Sequence, residues 1–79
     1  MNEKLLDAID LANNGDWDKA HRIVQDIEHE LAYWIHANLH REEGDTSNSK
    51  YWYRRAKRDY TEIDLEQERE LIRKEIEYN

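Results

Sequence analysis

The sequence predicts an all-α fold of four to five short antiparallel helices, and three observations predict it. Its 79 residues contain no proline and only two glycines, so few positions interrupt a helix. Leu, Ala, Glu, Lys, Arg and Gln, all good helix formers, are abundant throughout. Apolar residues recur at three- and four-residue spacing, the period of a single buried helix face.

Helix one, about residues 2–13, places Leu5, Ala8, Ile9 and Ala12 on one face, with Leu6 beside it. Asn14-Gly15-Asp16 then supplies a glycine for the left-handed residue that ends a helix and an aspartate to cap the next one. Helix two begins at Trp17 and aligns Trp17, Ala20, Val24 and Ile27, with Ile23 adjacent. Residues 25–31 hold no glycine, proline or familiar cap, so local signals alone allow one helix over 17–43. A change of hydrophobic phase near Asp26–Glu30 predicts a break instead. Helix three carries Leu31, Trp34, Ile35 and Leu39 and ends at Glu43-Gly44-Asp45, a second glycine and cap. Helix four, from near Ser47, carries Tyr51, Trp52, Tyr53 and Ala56, with Trp52 and Ala56 expected to face the core and Tyr51 and Tyr53 to flank them. A closing helix over about 62–78 shows Leu65, Ile72 and Ile76, plus Leu71, among charges. Hairpins at about 2–28 and 30–58 and this closing helix make one domain over 1–79.

A chain of this size buries only about 60% of the surface its unfolded form exposes, so the core is small. With 38% hydrophobic residues, 39% charged and no Phe, three Trp and five Tyr carry much of it, and core packing is the default role of the tryptophans. The lack of cysteine excludes disulfides, thiolate metal sites and a Cys nucleophile. No apolar run approaches a signal-peptide core or a membrane span, which predicts a cytoplasmic location and no membrane partner.

The net charge of −7 is unevenly spread. Residues 1–49 carry 11 acids and 4 bases, residues 50–58 carry 5 bases and no acid, and residues 59–79 carry 8 acids and 3 bases. A basic island therefore sits in an acidic protein, and nucleic acid is not the expected partner of the whole surface.

Superposing the two glycine joints aligns Gly15-Asp16-Trp17 with Gly44-Asp45-Thr46, a period of 29 residues. In each copy a small residue (Ala20, Ser49) precedes a larger one (Val24, Tyr53) by four and another apolar one (Ile27, Ala56) by seven. Over residues 1–58 this pattern resembles tetratricopeptide repeats. The period is shorter than that family's 34 residues, and its Trp-x-x-Leu-Gly-x-x-Tyr signature and terminal proline are missing. The combination of WIHA, LHR, EGD and YWYRRA also looks like a set of short bacterial proteins, a likeness that implies no activity. The tetratricopeptide resemblance implies stacked hairpins with a concave face that binds extended peptides.

Four histidines stand at positions 21, 29, 36 and 40. His36 and His40 share a helical face, and a continuous helix would add His29, an arrangement open to zinc. Against it, His29-Glu30-Leu31-Ala32-Tyr33 has Tyr where the His-Glu-x-x-His zinc motif needs its second ligand. Packing against neighbouring aromatics is the default, and no cofactor is expected. The run Lys50 to Arg58 interleaves bases with aromatics, as single-strand binders do, but internal or subunit pairing with the acidic segments is the leading reading. No phosphate loop or nucleophile elbow is present, so an enzyme is not expected.

The expected role is a small protein–protein interaction module that docks a protein or peptide, acidic by charge, through a helical groove lined by His36, His40, Lys50, Tyr51, Tyr53 and Arg54. A homodimer would cover the apolar edges of a thin core. The rival readings are metal or small-ligand binding through His36 and His40, and a structural subunit of a homo-oligomer.

Overall fold

The computed structural model describes residues 2–78; Met1 and Asn79, the ends of the expected domain, lie outside the described residues. Among these the chain is all-α, with five helices: α1 Asn2–Asn13, α2 Trp17–Gln25, α3 Glu30–Glu42, α4 Thr46–Arg55 and α5 Leu65–Tyr78. None is long and apolar enough to cross a membrane.

Both glycine joints have the expected chemistry. Gly15 (φ +83°) and Gly44 (φ +85°) take the left-handed conformation, which costs glycine no Cβ clash. The Asp16 N–H donates to the Leu11 carbonyl at 2.8 Å and the Gly15 N–H to Ala12 at 3.1 Å; 29 residues on, Asp45 donates to His40 at 3.0 Å and Gly44 to Arg41 at 3.1 Å. This double closure absorbs carbonyls that would otherwise lack partners at a helix end. Asp16 accepts from the Lys19 N–H and Asp45 from the Asn48 N–H, each at 3.3 Å, capping α2 and α4.

A break does separate α2 from α3. His29 makes it: its backbone is extended (φ −156°) and its Nδ1 accepts from the Leu31 N–H at 3.1 Å. His29 is therefore a cap and not a third member of the His36/His40 stripe. α3 is the central helix, buried at Leu31, Ala32 and every position from Trp34 to His40, and packed on all four others.

α4 turns differently from expectation. Tyr53 and Ala56 are buried with Ser49, while Trp52 is only half-buried. Positions 49, 53 and 56 lie on one line along the helix, and at about 100° per residue Trp52 falls to one side of it. Ser49 lets α4 approach α3 closely enough for its hydroxyl to donate to the Ala37 carbonyl at 2.8 Å.

α5 starts at Leu65, later than expected, because Asp64 caps it by accepting from the Gln67 N–H at 3.1 Å. It lies across α1 and α3, burying Ile72 and Ile76 together with Glu68 and Arg69. Leu71 stays outside, 45% exposed.

Candidate functional site

Antiparallel packing of α2 on α3 brings residues on either side of the 26–29 break opposite one another. Trp17 meets His40, with ring centroids 5.7 Å apart, and His21 meets His36 at 4.7 Å and 89°. His36 and His40, one turn apart, stack at 4.8 Å. His36 also lies flat on Trp52 of α4, at 3.9 Å and 12°, and Trp17 on His21 at 4.7 Å. A row of rings thus runs from Trp17 through His21 and His36 to Trp52, across three helices, with His40 beside it. One ring nitrogen from each of His21, His36 and His40 lies within 4.8 Å of the others.

The cluster is mostly sealed. His36 and His40 are 4% and 6% exposed, and His21 is half-buried at its rim. Burial above all, then the neighbouring His21, His40 and Arg55, lowers the pKa of His36 to about 3. His21 is lowered as well, by burial and then by His40, with Glu43 and Asp18 opposing. Both rings are therefore neutral near pH 7, with a free lone pair on each. His40 Nδ1 lies 2.5 Å from a Glu43 carboxylate oxygen. A carboxylate only accepts, so the proton of that bond sits on Nδ1, and Nε2 is the ring nitrogen left to face the cluster. Nδ1 of His36, wholly buried, has no hydrogen-bond partner.

The six residues expected to line a groove separate into two sets. Lys50, Tyr51 and Arg54 are exposed on the outer side of α4. His36, His40 and Tyr53 are buried, so their side chains are not part of an open face. Trp52 stands between the sets, stacked on His36 and edge-on to Tyr51 at 5.1 Å. The Arg55 guanidinium lies over Tyr33 at 4.5 Å and over Trp52 at 5.1 Å.

Tyr53 belongs instead to a buried polar network. Glu68, 1% exposed, accepts from the Tyr53 hydroxyl, Trp34 Nε1 (2.9 Å), Asn38 Nδ2 (2.7 Å) and Arg41 Nη2 (3.0 Å). Arg69 donates to Asn38 Oδ1 at 2.9 Å and pairs with Glu42. Two cations and two carboxylates balance in this network, which lets the charges remain inside. It fastens α5 to α3 and so fixes which face of α3 is left for the imidazoles.

Sequence reasoning missed His21 and Glu43 as partners of the imidazole pair. The signal was present: His21 stands with Ala20 in the spacing 17, 20, 21, 24 of α2's inner face, and positions 21 and 36 share the register of Trp17 and His40 about the break. Glu68 and Arg69 were hidden because buried charges in a charge-rich helix look like solvated ones. In comparisons with known proteins, the chain matches no family model, no curated protein and no solved structure.

Proposed function

We propose that this chain is a cytoplasmic docking module whose α4 edge, Lys50, Tyr51, Arg54 and Arg55, receives an acidic segment of a partner protein. One observation carries the reading. Of the five cations between residues 50 and 58, Lys57 pairs with Glu30 (3.3 Å) and Arg58 with Glu75 (3.2 Å), whereas Lys50, Arg54 and Arg55 have no acidic partner among the described residues. In a protein of net charge −7, three unpaired cations on one helix edge form a local site for negative charge. Tyr51, 46% exposed beside them, adds an aromatic anchor. The tetratricopeptide-like pattern favours docking over catalysis, but α5 occupies the α1/α3 face, so the proposed surface is the outer edge of α4 and not a groove between hairpins.

Fluorescence anisotropy with a labelled oligoglutamate peptide tests this. Binding should weaken with salt, as contacts between exposed charges do. The Lys50→Glu/Arg54→Glu double variant should lose on the order of tenfold affinity, since exposed pairs are worth up to about 1 kcal/mol each. Tighter capture of a single-stranded oligonucleotide, or a concentration-dependent dimer abolished by the same variant, would replace the acidic peptide with nucleic acid or with a second copy.

A further inference from the structure

We propose that His21, His36 and His40 form a three-imidazole site for a zinc ion, entered from the α2 side. The three side chains come from two helices, and one ring nitrogen of each already lies within 4.8 Å of the others. Zn–N bonds of about 2.0–2.1 Å in a tetrahedron place ligand nitrogens about 3.4 Å apart. The remaining convergence is within the reach of side-chain rotation, without movement of α2 against α3.

The surroundings suit a cation. Glu43, accepting from His40 Nδ1, turns Nε2 of that ring into the ligand atom, the carboxylate–histidine arrangement that orients metal-binding imidazoles. The Asp18 and Glu43 carboxylates act electrostatically on His21. Two ligands are buried and His21 sits at the rim, which leaves the fourth position of a tetrahedron to water on the solvent side. With imidazole nitrogen as the only donor type, zinc and its borderline neighbours are favoured over calcium or magnesium, which prefer oxygen.

A packing seam of aromatic rings accounts for the stacking of His36 on Trp52 and of Trp17 on His21. It does not account for Nδ1 of His36, a buried polar atom without a partner in a ring that shares a cluster with two other imidazoles. Natural proteins rarely leave such atoms unsatisfied unless the group has another task. A second grouping, buried His40 with the exposed carboxylates Glu43 and Asp45, lies nearby and is the competing location for an added ion.

The test uses full-length protein purified without a tag, stripped with chelator and titrated with Zn²⁺ alone, followed by Co²⁺ as a spectroscopic stand-in. The expected result is one Zn²⁺ per chain at micromolar affinity or tighter, and an intense tetrahedral Co²⁺ band in the visible. His21→Ala and His21→Gln alter only a rim ring, so their helical circular dichroism should persist. Each should lose at least about tenfold in Zn²⁺ affinity, together with the tetrahedral band. Wild-type affinity in either folded variant assigns the ion to the surface carboxylates and overturns the proposal. Absence of saturable binding by the wild type makes the cluster a packing seam and overturns it equally.

Discussion

The Tyr53 hydroxyl lies 2.8 Å and 2.6 Å from the two carboxylate oxygens of Glu68, bridging α4 to α5, both of which pack on α3. Burial first, then this hydrogen bond, raises the tyrosine pKa, so the phenol is a donor throughout the physiological range. Removing the hydroxyl leaves a buried carboxylate short of one charge-assisted bond, a loss worth about 1.5–3 kcal/mol. Tyr53→Phe should therefore destabilise the fold by that amount in urea unfolding, even though the substitution makes the core more apolar. Glu68→Leu should cost more, because Arg41 then loses its buried partner; breaking one side of such a pair typically costs about 3–5 kcal/mol.

Lys57 ends α4 as Gly15 and Gly44 end α1 and α3. Its φ is +61°, and the Arg58 N–H returns to the Tyr53 carbonyl at 3.0 Å, the same closure as at the two glycine joints. A residue with a Cβ pays about 1–2 kcal/mol for this conformation. Lys57→Gly should raise stability by roughly 1 kcal/mol, less than the full strain because glycine gains freedom in the unfolded chain. The exposed ion pair with Glu30 that it sacrifices is worth little. A fall in the urea midpoint would show that the pair matters more than the strain.

Ser49 stands 29 positions after Ala20, and both small residues are fully buried. Its role is closeness of α4 to α3, with the bond to the Ala37 carbonyl a secondary gain. Ser49→Ala should cost only about 0.5–1.5 kcal/mol. Ser49→Leu should cost about 1–3 kcal/mol or more by overpacking, and should loosen Trp52 from His36, visible as a change in tryptophan emission.

The α1/α2 and α3/α4 joints were legible because their signals are local: a glycine at the left-handed position of each and an aspartate just after it. The α2/α3 break was legible only through hydrophobic phase, since the cap there is a histidine, a residue outside the usual capping set. The burial of Tyr53 over Trp52 was also readable from the spacing of Ser49, Tyr53 and Ala56, which outweighed the preference for putting the larger ring inside. The candidate metal site was half legible. His36 and His40 announce themselves by i,i+4 spacing, but His21 joins them only after α2 folds back on α3. Glu68 and Arg69 gave no signal, because their burial depends on partners at least 15 positions away.

The imidazole cluster also predicts how stability responds to acid. An unfolded chain protonates His36 near its ordinary pKa of 6.5, whereas the folded protein resists protonation until about pH 3. Between those values the unfolded state binds more protons, so stability contributed by the neutral ring is complete above pH 6.5 and is lost as pH falls toward 3. His21, shifted in the same direction, adds to the loss. The groups facing His36 are His21, His40, Arg55 and Trp52, and none is a carboxylate that would compensate its charge. From about pH 7.5 to about pH 5, His36 alone should cost about 2 kcal/mol of unfolding free energy. Urea unfolding with chelator present, compared between wild type and His36→Leu, isolates this contribution: the variant should be flatter with pH by about that amount. Parallel pH profiles would mean that the ring opens to water and protonates before the fold is lost.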